Sequence, residues 1–381
     1  MLHFTDREFA LRMARLESEI SRRGLDGMLL FAPESQYWLT GYDSFGYCFF
    51  QCLIVGGSEP VLLTRSADLR QARLTSNIRD IRLWVDGEDV DPTASLWTIL
   101  QTLELAGKRL GIETDTQGLT ALYGQRLYTR LEGRIELIES SDLVSALRLI
   151  KSEAELVYVH KAAKLADDAL DTALDLAGAG VDEAQILGAM QNIILSGGGD
   201  YPANEFIIGS SDHALLCRYN AGRRTLSRND QLTLEWAGVY RHYHVALMRT
   251  LIIGEPGRCH DRLHEAALKA LQHCEIELQP GQEMARVYDA HVTTLDQLGL
   301  GAHRLNACGY ALGARFSPSW MERQMFYKNA TTMIQPGMVF FLHMILMDSD
   351  TNTAMCLGRS YLITDNGNQS LSRHGLEMLR C

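Results

Sequence analysis

The texture of the chain changes at Lys151, and that break constrains the fold more than any single motif does. Before it, short apolar runs bounded by turn residues alternate with helix-spaced segments. Phe9, Met13, Leu16 and Ile20 recur at steps of four, three and four, one face of a helix with Asp6 as its N-cap and Gly24 as its stop. Met28–Phe31 reads as a buried strand. Cys48–Val55 and Val61–Leu63 read as a strand pair across Gly56-Gly57-Ser58-Glu59-Pro60, and Ile81–Val85 as a further strand. Residues 93–106 and 117–130 look helical around a strand at 109–112. This mixture predicts an α/β N-terminal domain, a mixed sheet flanked by helices, over residues 1–148. Beyond the break, Leu156, Val159, Ala163, Ala166, Leu170 and Ala173 mark a long amphipathic helix, and 182–195 a second. Strand-like runs follow at 204–209, 230–236 and 246–253, then helices at 260–278 and 284–298, then strands at 338–346 and 354–364. Helices followed by longer strands, without strict alternation, predict an α+β C-terminal domain over residues 149–381.

Composition narrows the function classes. With 36 Lys and Arg against 47 Asp and Glu the net charge is −11, and no basic block stands out, so a nucleic-acid partner is not expected. No apolar run approaches 18 residues, and Met1–Asp6 has no basic and apolar leader pattern, so neither a membrane span nor a signal peptide is expected. Eight cysteines without a CxxC pair read as reduced, mostly buried thiols of a cytoplasmic protein. No P-loop, HExxH, GxSxG or zinc-type spacing occurs, and Ser196-Gly197-Gly198-Gly199 reads as a loop. His260 and His264 share a helix face but have no third ligand nearby, so they read as a solvated face. His242 and His244, two apart, share one face of a strand.

Several segments resemble one family. Arg23-Gly24-Leu25-Asp26-Gly27-Met28-Leu29-Leu30, followed by Tyr37-Trp38-Leu39-Thr40-Gly41-Tyr42, is similar to the opening of the N-terminal domain of the creatinase/prolidase/aminopeptidase P superfamily. Lys151-Ser152-Glu153-Ala154-Glu155-Leu156 resembles the start of that family's C-terminal pita-bread domain. Tyr243–Gly254 with Arg249-Thr250, Gly309–Gly313 and Gln335-Pro336-Gly337-Met338-Val339 continue the likeness in the family's order. The metallopeptidases of this superfamily bind two metal ions through Asp, Asp, His, Glu and Glu. The resemblance puts Glu235, Ala246, Tyr310, His343 and Gly358 or Arg359 at those positions. One carboxylate remains, so no metal and no other cofactor is expected. The resemblance is nearer to the metal-free branches, creatinase and ectoine hydrolase. It rests on Glu235, on Tyr243-His244 with an apolar residue at 246, on Gly309-Tyr310, and on Trp320 with Glu322-Arg323-Gln324-Met325. Arg218 stands where those branches carry a His, and their late Glu is absent.

Glu235 sits in an apolar strand that disfavours its ionised form. It is read either as the acid–base or nucleophilic group, or as the buried partner of Arg218, Arg249 or Arg359. The resemblance brings His244 and His343 to the same cleft, as proton-transfer groups or as structural imidazoles. Tyr310 is read as a hydrogen-bond donor to a developing oxyanion, or as a satisfied core Tyr. Trp320 is an apolar or cation–π wall, or core packing. Arg218 and Arg359 are assigned to substrate binding. Arg65 joins them if a second subunit's N-terminal domain borders the site. The expected function is metal-independent hydrolysis of a C–N bond in a small, polar, nitrogen-rich compound. The alternatives are an Xaa-Pro metallopeptidase and a non-catalytic binding protein. A homodimer is also expected, from the resemblance and from the aromatic-rich stretch Tyr42–Phe50.

Overall fold

The computed structural model describes residues 2–218 and 222–381, which divide into two compact units, 1–148 and 149–381. The first unit opens on helix α1 (Asp6–Arg22), whose N-cap is Thr5 rather than Asp6. The Thr5 hydroxyl accepts the Glu8 amide, and Asp6 becomes the first helical residue, its charge favourable against the helix dipole. Then follow β1 (Gly27–Leu30), α2 (Pro33–Thr40), β2 (Cys52–Val55), β3 (Val61–Arg65), α3 (Leu69–Thr75), β4 (Asp80–Trp84), α4 (Pro92–Thr102), β5 (Arg109–Ile112), α5 (Ala121–Leu131), β6 (Glu136–Glu139) and α6 (Ser141–Leu149).

The six strands form one sheet in the order β4-β3-β2-β1-β5-β6. The β1–β2 and β2–β3 pairs are antiparallel and the others parallel, so the sheet is mixed. Alternate residues of β1 and β2 feed two cores. Leu29, Cys52 and Ile54 enter one, while Met28, Leu30, Leu53 and Val55 enter the other, so both faces are covered. The strand expected from Cys48 begins only at Cys52, because Gly46–Cys48 closes a tight helical turn that leaves Phe45 and Phe49 exposed. Helix α2 carries no amphipathic signal, since all eight of its residues are buried. Its start is held by Glu113, whose carboxylate accepts the Phe31 and Ala32 amides and the Ser35 hydroxyl.

The second unit comprises α7 (Glu153–Leu176), α8 (Glu183–Ser196), β7 (Ile207–Ser210), β8 (Asp230–Tyr240), β9 (Tyr243–Ile253), α9 (Arg258–Glu277), α10 (Met284–Gln297), β10 (Gly309–Ala311), β11 (Val339–Asp348), β12 (Thr353–Thr364), β13 (Gly367–Ser370) and β14 (Leu379–Arg380). A capping box of Ser152 and Glu155 starts α7. The sheet runs β10-β11-β12-β9-β8-β7, with β13 added to β12 and β14 to β9. Its longest ladder is the β8–β9 hairpin, turned by Arg241 and His242, both with left-handed backbone. Helix α7 lies on β8 and β9, and α9 on β11 and β12. Gly238 is required for that approach, because a Cβ there would meet the Ala162 carbonyl at 2.0 Å. Trp236 also faces α7, its indole N–H donating to the Ala166 carbonyl at 2.9 Å. By the strand's pleat, Glu235 therefore faces the other side. Among the described residues no helix is long and apolar enough to cross a membrane.

Candidate active site

Strand register assembles the site. Glu235 pairs with Met248, Met248 with Gly358 and Gly358 with His343, one row across β8, β9, β12 and β11 on the face away from the helices. A cavity of about 120 Å³ opens there. Asn204, Cys217, Arg218, Glu235, Tyr310, Trp320 and His343 line it, and Leu305, Ala307, Met321, Met325 and Ile345 give it an apolar wall.

Glu235 makes no ion pair among the described residues; its Oε1 accepts the Tyr310 hydroxyl at 3.1 Å. Tyr310 Oη in turn accepts the Trp320 indole N–H at 2.8 Å. Trp320, Tyr310 and Glu235 thus form a buried chain of donors ending on one carboxylate. Burial lifts Glu235 to about 7, and the Tyr310 hydrogen bond and the Arg218 charge only partly oppose it. Burial also pushes the Tyr310 phenol well above its ordinary value, so it remains an O–H donor. His343 falls to about 3, chiefly through burial, so it stands in the cavity as neutral imidazole. Its Nδ1 makes no hydrogen bond to another described residue. Near neutral pH this cavity offers a carboxyl that can give or take a proton, a fixed phenol donor and an unsatisfied imidazole nitrogen.

The structure brings Glu235, Tyr310, His343, Arg218 and Trp320 together and leaves His244 and Arg359 out of the cavity. His244 is buried beside the site, but both ring nitrogens are engaged. Nε2 accepts the Ala203 amide at 3.0 Å, which places the proton on Nδ1, donated to the His242 carbonyl at 2.7 Å. Burial lowers it to about 3, so it stays neutral, and its one N–H is committed to the His242 carbonyl. Arg359 lies one residue past Gly358, and the pleat sends it to the helix side, where it donates to the His374 carbonyl. Arg249, read as a partner of Glu235, is on that side too, bound to the carbonyls of Met248, Gly358 and Gly375. Arg65, in the first unit, pairs with Asp86 at 2.9 Å and lies over the Phe49 ring.

Elsewhere, His260 bonds Gln231 and the Gly257 amide, and His264 the Leu376 carbonyl, so neither belongs to a merely solvated face. All eight cysteines are free, but only Cys52, Cys274, Cys308 and Cys356 are buried. Three contributors escaped the sequence reading. Cys217 and Asn204 carry no motif. Phe341 packs its ring at a tilt against Tyr310 and His343, two residues before His343 on the same strand face.

Fold and cavity together describe a two-unit hydrolase scaffold. Residues 158–365 match the family model described as metallopeptidase family M24, and residues 12–150 that of the creatinase/prolidase N-terminal domain. The chain belongs to the creatinase/prolidase/aminopeptidase P superfamily and has its pita-bread fold. It is 27% identical to an ectoine hydrolase of Halomonas elongata, over 97% of this chain and 96% of that one. It is 21% identical to an Xaa-Pro dipeptidase of Pyrococcus furiosus, over 97% and 99%. A solved prolidase of Thermococcus sibiricus superposes with a TM-score of 0.87 at 17% identity, over 98% of this chain and 99% of that one.

A paired-metal centre does not fit these residues. Ala246 and Gly358 have no donor atoms, and Tyr310 is a neutral phenol already bound to Glu235. A Cβ on Gly358 would lie 2.6 Å from the Phe341 ring and 2.9 Å from Met248 Cβ, so apolar groups fill the space a fifth ligand needs. Among the described residues no group of three or more His, Cys, Asp or Glu is placed to hold a metal.

Proposed function

We propose that the chain hydrolyses a C–N bond in a small, polar, nitrogen-rich compound of the cyclic amidine or amidino kind, with Glu235 in place of a metal pair. The observation that carries this reading is the buried carboxyl of Glu235 in the cavity lining, held by Tyr310 and free of any ion pair among the described residues. Hydrolysis requires a proton to leave the attacking water and another to reach the departing nitrogen. A carboxyl near 7 can take the first as base and supply the second as acid. Tyr310 steadies the carboxylate between these steps. Arg218 supplies a cation for a substrate carboxylate, and Trp320 a flat wall for a planar, cationic group. The likeness to an ectoine hydrolase supports the same substrate class.

On this reading the protein is cytoplasmic, in keeping with eight free thiols, and homodimeric. The test is a panel of ectoine, creatine, related amidines and Xaa-Pro dipeptides, assayed on protein dialysed against a strong chelator. Cleavage of an amidine, unchanged by chelation, is expected. Cleavage of Xaa-Pro dipeptides that returns only with added manganese or cobalt would overturn the proposal.

A further inference from the structure

We infer that His244 is a positioning residue, which sets the Trp320–Tyr310–Glu235 chain through the turn at Ala203 and Asn204. The links are continuous. His244 Nε2 accepts the Ala203 amide at 3.0 Å, and its Nδ1–H is anchored on the His242 carbonyl at the β8–β9 turn. The next residue, Asn204, receives the Trp320 backbone amide on Oδ1 at 3.1 Å while its Nδ2 donates to the Glu205 carbonyl at 3.0 Å. Trp320 then points its indole N–H at Tyr310 Oη, and Tyr310 its hydroxyl at Glu235. The His244 and Trp320 rings also lie 6.3 Å apart, so the imidazole packs beside the indole it helps to aim.

Geometry explains why an imidazole suits this place. One side chain must accept an amide at one end and donate to a carbonyl at the other, at a position only 1% exposed. Neutral imidazole does both from a rigid ring, and its tautomer is dictated by the two partners. Burial keeps it in that neutral form. Without the Nε2 acceptor, the Ala203 amide loses its buried partner and the turn relaxes. Trp320 then loses its backbone anchor at Asn204, and Tyr310 loses the N–H that orients its hydroxyl. The consequence for turnover rests on the proposed role of Glu235, but the geometry can be read with no substrate.

The Trp320 indole N–H reports the last link but one. In nitrogen-15-labelled protein its resonance is assigned by its loss in Trp320→Phe, and its bond to Tyr310 appears as a downfield shift and slow exchange with water. Tyr310→Phe sets the scale of the unbonded signal. We expect His244→Ala and Asn204→Ala to move the resonance most of the way to that position and to speed its exchange at least tenfold. His244→Gln, whose carboxamide reaches the Nε2 position, is expected to restore it. An unmoved resonance in His244→Ala and in Asn204→Ala, with Tyr310→Phe shifted, would overturn the inference. So would a His244→Gln signal as displaced as that of His244→Ala. Asn204→Ala leaves the buried sheet untouched and keeps the test decisive if His244→Ala does not fold. These outcomes are read without activity, so they stand apart from failure of the proposed hydrolysis.

Discussion

At the scale of single residues, Glu235 links stability to chemistry. Its folded value of about 7 lies above the ordinary carboxyl value of 4.5, so ionisation opposes folding. Below about pH 4.5 both states hold the proton and the penalty vanishes. As pH rises from there to about 7 the unfolded chain loses its proton first and stability falls; above that window the full penalty, about 3 kcal/mol at most, is present. Glu235→Gln cannot ionise and still accepts the Tyr310 hydroxyl. It is expected to match the wild type in melting temperature near pH 4.5 and to melt a few degrees higher at pH 8, while turnover falls by about 10²–10⁴-fold. Calorimetry at the two pH values, with an activity assay at the higher one, checks both halves; a lower melting point at pH 8 would reveal an ion pair instead. That Glu235, Tyr310, Trp320 and His343 line one cavity was legible because each lies in a short motif with its neighbours in sequence. His244 was legible as a buried imidazole but not in its role, because its partner is Ala203, 41 residues away. Arg359 failed for a different reason: on a strand, one residue of misalignment exchanges the cavity face for the helix face.

Among the elements, β11 and β12 meet in close apolar packing on the cavity face. Phe341 covers Gly358, and a methyl there would sit 2.6 Å from the ring. Gly358→Ala is expected to destabilise by about 1–3 kcal/mol, the usual cost of overpacking a filled core. Phe341→Leu opens that space, so adding Gly358→Ala to it should cost much less. Denaturant unfolding of the four proteins in a double-mutant cycle gives the coupling, and additive losses would show that the ring is not what closes the site. Long amphipathic helices such as α7, α9 and α10 were readable because their buried faces repeat at helical spacing over 24, 20 and 14 residues. Strands β11 and β12 were readable as long apolar runs. Helix α2 was not, because a wholly buried eight-residue helix leaves no polar face to set a period. Nor was the late start of β2, since Cys48–Phe50 has a strand's composition and only the turn at Gly46–Cys48 breaks it.

For the whole molecule, an exposed face of the first unit bears on assembly. Phe45 is 73% exposed, Phe49 47% and Val85 75%. Phe49 lies under the Arg65 guanidinium at 3.8 Å, and Arg65 pairs in register with Trp84, the last residue of edge strand β4 before Val85. An unpaired strand edge beside exposed rings and a cation is suited to an isologous contact with a second copy of the chain. Sedimentation at micromolar concentration is expected to give a dimer. Burying a Phe side chain contributes about 1.5–3 kcal/mol, and twofold symmetry counts every substitution twice. A change of about 4 kcal/mol separates micromolar from millimolar dissociation. The double substitution Phe45→Ser and Phe49→Ser is therefore expected to leave a monomer at concentrations where the wild type is paired. Because these rings already face solvent within the single chain, the monomer's own melting transition should stay within a degree or two of the wild type's. A wild type that sediments only as monomer, or a double variant that remains dimeric, would place the interface elsewhere or remove it.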